Sequence, residues 1–172
     1  MNRKGTAGTA TLGLLLAFAL ILGYVETLIP FPFGVPGMKL GLPNLAVLLV
    51  LYLFGAREAL LVNMCRVCLS AFLFGSFSSL LYSLAGAFFS FFIMALLKKH
   101  PAFSVTGVSC AGGIVHNAAQ LCVAMLITET VQILYYIPPL LACGCLTGFC
   151  LGLICRAVLA HLPERTMENG GK

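Results

Sequence analysis

Long apolar stretches, broken only by short clusters of Gly, Pro and charged residues, divide the chain into six segments. They run over residues 9–29, 42–54, 59–75, 77–97, 104–128 and 135–160. A helix needs about 20 apolar residues to cross a hydrocarbon core about 30 Å thick, so six such runs with short connections predict a membrane bundle. The second segment is short and begins beside Pro43, a residue tolerated in a first helical turn. The third and fourth are joined only by Gly75-Ser-Phe77, which predicts a tight antiparallel hairpin. No soluble domain, internal repeat or low-complexity linker interrupts the pattern. The expected fold is an all-α membrane protein: one integral domain over residues 1–172, built as six transmembrane helices.

Polar residues inside these segments fall in register. In the third, Asn63, Arg66 and Ser70 lie at i, i+3 and i+7 and share one helix face. In the fourth, Ser79, Tyr82, Ser83, Gly86 and Ser90 form a small polar stripe, which also suits close helix packing. In the fifth, His116 and Gln120 are one turn apart, with Asn117 beside His116. Lipid leaves a polar group unsatisfied, so these stripes are expected to converge inward. Arg66 is the most demanding of them, since a charge at mid-span costs about 2.5–3.5 kcal/mol to insert. No carboxylate is expected near it, Glu26 and Glu129 being placed at the outer ends of their helices. Arg66 therefore either donates to neutral protein groups or waits for an anion. The pattern favours the anion and a substrate site made of Lys39, Asn63, Arg66, His116, Asn117 and Gln120. Gly13 and Ala17, spaced small-x-x-x-small, serve either internal packing or the docking of a partner membrane protein.

Composition agrees with a lipid environment: 60% of the 172 residues are hydrophobic, 9% are charged, and mean hydropathy is +1.05. Soluble domains carry about a quarter charged residues. The first segment exceeds a signal-peptide core in length and is expected to be retained. With both termini cytoplasmic, Arg3, Lys4, Arg57, Lys98, Lys99, Arg156, Arg165 and Lys172 lie inside and only Lys39 outside, the expected positive-inside bias. The Pro/Gly-rich loop Pro30–Pro43 is then external, as a rigid connector or as a lid that offers Lys39 to an anion. Scattered basic residues give no nucleic-acid patch. All eight cysteines fall within apolar runs, where small-hydrophobe packing is expected, and Cys65-x-x-Cys68 has no second pair to complete a metal site. There is no Asp, Glu occurs only at positions 26, 58, 129, 164 and 168, and no P-loop is present. These features argue against catalysis, against a metal or other cofactor, and against ATP hydrolysis by the chain itself.

Several segments resemble the Gx transporter family, also labelled heptaprenyl diphosphate synthase component I. They are Gly23-Tyr-Val-Glu26, Pro36–Asn44, Leu69–Ser76 with Arg66 before it, Tyr82–Gly86, Ala111–Gln120 and Tyr135–Pro138. That family is similar in size and helix count to the substrate-binding S components of energy-coupling factor transporters. The resemblance implies a multi-pass protein of a bacterial cell membrane. It would capture a small anionic or polar molecule from outside and work with an ATPase module and a coupling membrane protein. The synthase label implies an enzyme instead, but such synthases carry aspartate-rich metal motifs that this chain lacks. Relatives of the family look linked to flavin-dependent extracellular electron transfer. The alternative role is therefore a membrane partner of a flavoprotein, or of quinone or isoprenoid biosynthesis, without transport.

Overall fold

The computed structural model describes residues 3–28, 39–75 and 77–162, the side chains from residue 8 onward. Six α-helices run over Arg3–Leu28 (α1), Asn44–Leu53 (α2), Ala56–Phe74 (α3), Phe77–Lys98 (α4), Val105–Thr128 (α5) and Ile137–His161 (α6). A 3-10 turn over Val131–Tyr136 leads into α6, and no strand occurs among the described residues. The all-helical bundle expected from the apolar pattern is present, with α3 and α4 joined by the tight connection at Gly75. Four stretches are long and apolar enough to cross a membrane: Gly8–Leu28, Phe77–Lys98, Val105–Thr128 and Val131–His161. Helix α3 has 19 residues but also carries Arg57, Glu58 and Arg66.

Helix α2 departs from an ordinary span. Its ten residues extend about 15 Å at 1.5 Å each, half of a hydrocarbon core. Nine of the ten are buried, so it is wrapped by α1, α3, α4 and α6 and does not face lipid. Hence it is apolar all round, the pattern of a fully enclosed helix. Its C-terminal carbonyls would be stranded there, and Lys98 of α4 answers this by donating Nζ to Leu51 O at 2.6 Å while lying over the Tyr52 ring.

The other side of the bundle is a glycine seam. Gly144, Gly148 and Gly152 of α6 recur every fourth residue and lie against the α5 backbone at Gly113, Ser109 and Thr106. Without a side chain on these positions the two helices touch main chain to main chain, which replaces hydrophobic drive as the source of association in lipid. Ser104 caps α5 by accepting from Gly107 N at 3.1 Å. Large apolar side chains such as Phe72, Phe77 and Leu126 point outward, as lipid contact demands. The cysteines divide between the interior and the lipid-facing surface. Cys155 is buried, whereas Cys65, Cys68, Cys122, Cys145 and Cys150 lie on the outer surface. The helical registers of Cys65, Cys68 and Cys122 put them away from the inward polar faces of α3 and α5.

Candidate functional site

The polar stripes of α3, α4 and α5 do converge. Their meeting point is a cavity lined by Glu26 of α1, Lys39 and Gly41 of the strap before α2, Arg66 and Ser70 of α3, Ser83 of α4, and His116 and Gln120 of α5. It leaves about 10 Å³ to the centre of a water molecule, close to the minimum that one water needs.

Arg66 is anchored by neutral amides. Its Nε donates to Asn63 Oδ1 at 3.0 Å, and one terminal nitrogen donates to Asn44 Oδ1 at 2.9 Å. Asn63 in turn donates to Ala87 O of α4 at 2.9 Å, which fixes the cage to a third helix. Two of the five guanidinium N–H groups are therefore spent on positioning, while the same side chain lines the cavity.

Glu26 corrects the expectation that no acid accompanies Arg66. It is only 5% exposed, and it accepts hydrogen bonds from the main-chain N–H groups of Gly41 and Leu42. Lys39 and Arg66 are the cations whose fields act on it. Ala19, Gly23 and Glu26 form the inner face of α1, and the strap folds back against that face. A position near a helix end in sequence thereby becomes a buried position in space. The cavity holds two cations and one carboxylate.

On the opposite wall, Lys39 N–H donates to Gln120 Oε1 at 3.2 Å, which leaves Gln120 Nε2 facing His116 Nε2 at 3.0 Å. An amide nitrogen only donates, so His116 Nε2 accepts and the ring proton belongs on Nδ1, against Gly86. A Cβ on Gly86 would sit 2.9 Å from that nitrogen, which explains the gap in the α4 stripe at this position. The Lys39 ammonium is held below its ordinary value of 10.5, first by partial burial and then by Arg66, with Glu26 opposing.

Of the six residues expected to form the site, Lys39, Arg66, His116 and Gln120 line the cavity. Asn63 stands behind Arg66. Asn117 points away, donating to Leu140 O of α6 at 2.9 Å, because adjacent positions on a helix are rotated by about 100°. Glu26, Asn44 and Gly41 belong to the site and were not expected. Ser70 and Ser83, noted as polar, line it too. Gly13 and Ala17 face outward, and a Cβ on Gly13 would meet nothing within 4 Å. Of the loop expected as a lid, residues 30–38 lie outside the described residues and 39–43 form the strap.

The family described as heptaprenyl diphosphate synthase component I matches residues 15–158, a stretch that includes every cavity residue named above. No match was found among curated proteins or among solved structures.

Proposed function

Since the chain belongs to the heptaprenyl diphosphate synthase component I family, we propose that this multi-pass membrane protein is a substrate-binding transport subunit, taking a small anionic or polar molecule from outside. The observation that carries this reading is the small cavity that brings Lys39, Arg66 and Glu26 together inside an otherwise apolar bundle. Intramembrane ionisable groups of this kind are expensive and mark substrate or ion pathways. Arg66 and Lys39 supply charge, His116 and Gln120 orient the bound molecule, and the strap opens to admit it. The outward face of α1 at Gly13 and Ala17 is the docking surface for a coupling membrane protein with its ATPase module. The reading assigns no catalytic residue and no cofactor. Among the described residues no group of three or more His, Cys, Asp or Glu could hold a metal ion.

Mass spectrometry of small molecules retained by purified protein after exposure to cell extract tests the proposal. An acidic or polar metabolite is expected at neutral pH. It is expected to be lost as pH rises toward the lowered pKa of Lys39, earlier than a free lysine at 10.5 would allow, because deprotonation removes one of the two cations. Retention of nothing, or retention indifferent to this pH change, would remove the proposal. The family description names a synthase component and so favours a second reading, a membrane partner of a synthase or of a flavin- or quinone-linked flavoprotein. Co-purification of such an enzyme, with no uptake depending on this chain, would favour it. Both readings place the termini in the cytoplasm of a bacterial cell. A reporter fused after Lys172 is expected to work there and not outside, and activity only outside would invert the topology.

A further inference from the structure

A length of main chain occupies the middle of the site. Residues 39–43 run through it as a strap, and three of their N–H groups are satisfied by side chains. Gly41 and Leu42 donate to the Glu26 carboxylate, and Lys39 donates to Gln120 Oε1. Gly41 sits at φ +87°, pressed between neighbours so closely that a Cβ would lie 2.9 Å from Asn44 Nδ2 and 3.2 Å from His116 Cδ2. A second cavity of about 10 Å³, with a mixed lining that includes Asn44, Ser109, Thr147, Met94 and Leu151, also borders Gly41. Gly41 thus lines both small spaces.

Resting on the transport reading above, we infer that the strap stands in for the ligand, and that the ligand is a small amphoteric molecule. It carries N–H donors, ammonium or amide, for Glu26, and a carboxylate or phosphate for Lys39 and Arg66. Two physical arguments lead there. When the strap withdraws at Gly41 and Leu42, Glu26 loses the donors that satisfy it, and a buried acceptor left without a donor is strongly disfavoured. A plain anion answers the cations but strands Glu26 and meets its charge at close range. Charge points the same way: Lys39 and Arg66 give +2 and Glu26 gives −1, so the site presents both signs, as a molecule with a donor end and an anionic end requires.

The test uses matched probes on purified full-length protein: L-glutamate against glutarate, β-alanine against propionate, and orotate against benzoate, read as shifts in unfolding temperature and by native mass spectrometry. Within at least one pair, the member with N–H groups is expected to bind at least about tenfold more tightly than its partner. Glu26→Gln is expected to narrow that ratio, since a charged carboxylate accepts N–H bonds more strongly than a neutral amide does. The comparison within wild-type protein needs no variant and stands if Glu26→Gln does not fold. Equal binding within every pair, binding of none of the probes, or a ratio unchanged in folded Glu26→Gln would each overturn the inference. The transport reading survives all three if metabolites are retained in the experiment above, and falls separately if none is.

Discussion

Replacing Arg66 with methionine is expected to reduce retention of an acidic molecule by about 10- to 100-fold, the usual worth of a hydrogen bond to a charged group. The change lowers the formal charge of the cavity from +1 to zero, leaving Lys39 facing Glu26 alone. Its effect on stability is the balance of two opposing contributions. Asn44 Oδ1 and Asn63 Oδ1 lose their donor, at about 1–3 kcal/mol each. Against that, an apolar side chain of similar length removes the desolvation of a buried guanidinium, which often offsets the loss of a buried polar network. Binding should therefore fall further than the unfolding temperature does. Arg66→Lys separates charge from geometry. It keeps the cation but cannot bridge Asn44 and Asn63 as a fork, so its retention should lie between methionine and wild type. If Arg66→Met folds and retains the same metabolite as wild type, Arg66 is only an anchor for α2 and α3, and the site must be sought elsewhere.

The surroundings of Arg66 separate what helical periodicity carries from what only tertiary contact supplies. Period-3.6 spacing was enough to place Asn63, Arg66 and Ser70 on one face, and His116 with Gln120 on another, because a helix carries its neighbours along rigidly. It also sufficed for six helices, since lipid admits few other ways to satisfy a backbone. What it could not supply was contact between elements distant in the chain. Glu26 looked peripheral because it lies near the end of α1, yet its spacing from Ala19 and Gly23 already set it on the inner face. Asn44 falls inside the short segment 42–54 and has no sequence signal of its own, whereas α2 is a buried half-length helix whose first residue holds Arg66. Asn117 was drawn into the site by adjacency to His116, although adjacent helical residues diverge. The four-residue spacing of Gly144, Gly148 and Gly152 is visible in the sequence, but only the structure gives the helix they face.

That seam carries the other large expected effect. A Cβ on Gly148 would lie 2.5 Å from Ser109 O and 2.8 Å from Cys110 Cα, and one on Gly144 would lie 2.6 Å from Gly113 O. These obstacles are main-chain atoms, so no rotamer change relieves them and the helices must separate. Overpacking of this kind costs about 1–3 kcal/mol and occasionally more. Gly148→Ala is therefore expected to lower the unfolding temperature of the purified protein clearly, and Gly148→Leu to prevent recovery of a monodisperse bundle. The consequence reaches the site, because α5 bears His116 and Gln120, and because parting α5 from α6 breaks the Asn117–Leu140 hydrogen bond. Gly148→Ala should thus weaken metabolite retention although residue 148 does not line the cavity with Arg66. Gly13→Leu is the control: its side chain enters open space on the outer face of α1, so the isolated chain should keep its stability and retention. If a coupling protein docks there, the same change should abolish its capture. Unaltered capture by Gly13→Leu would place the docking surface elsewhere, and an unaltered unfolding temperature in Gly148→Ala would mean that the α5–α6 backbones are not in contact.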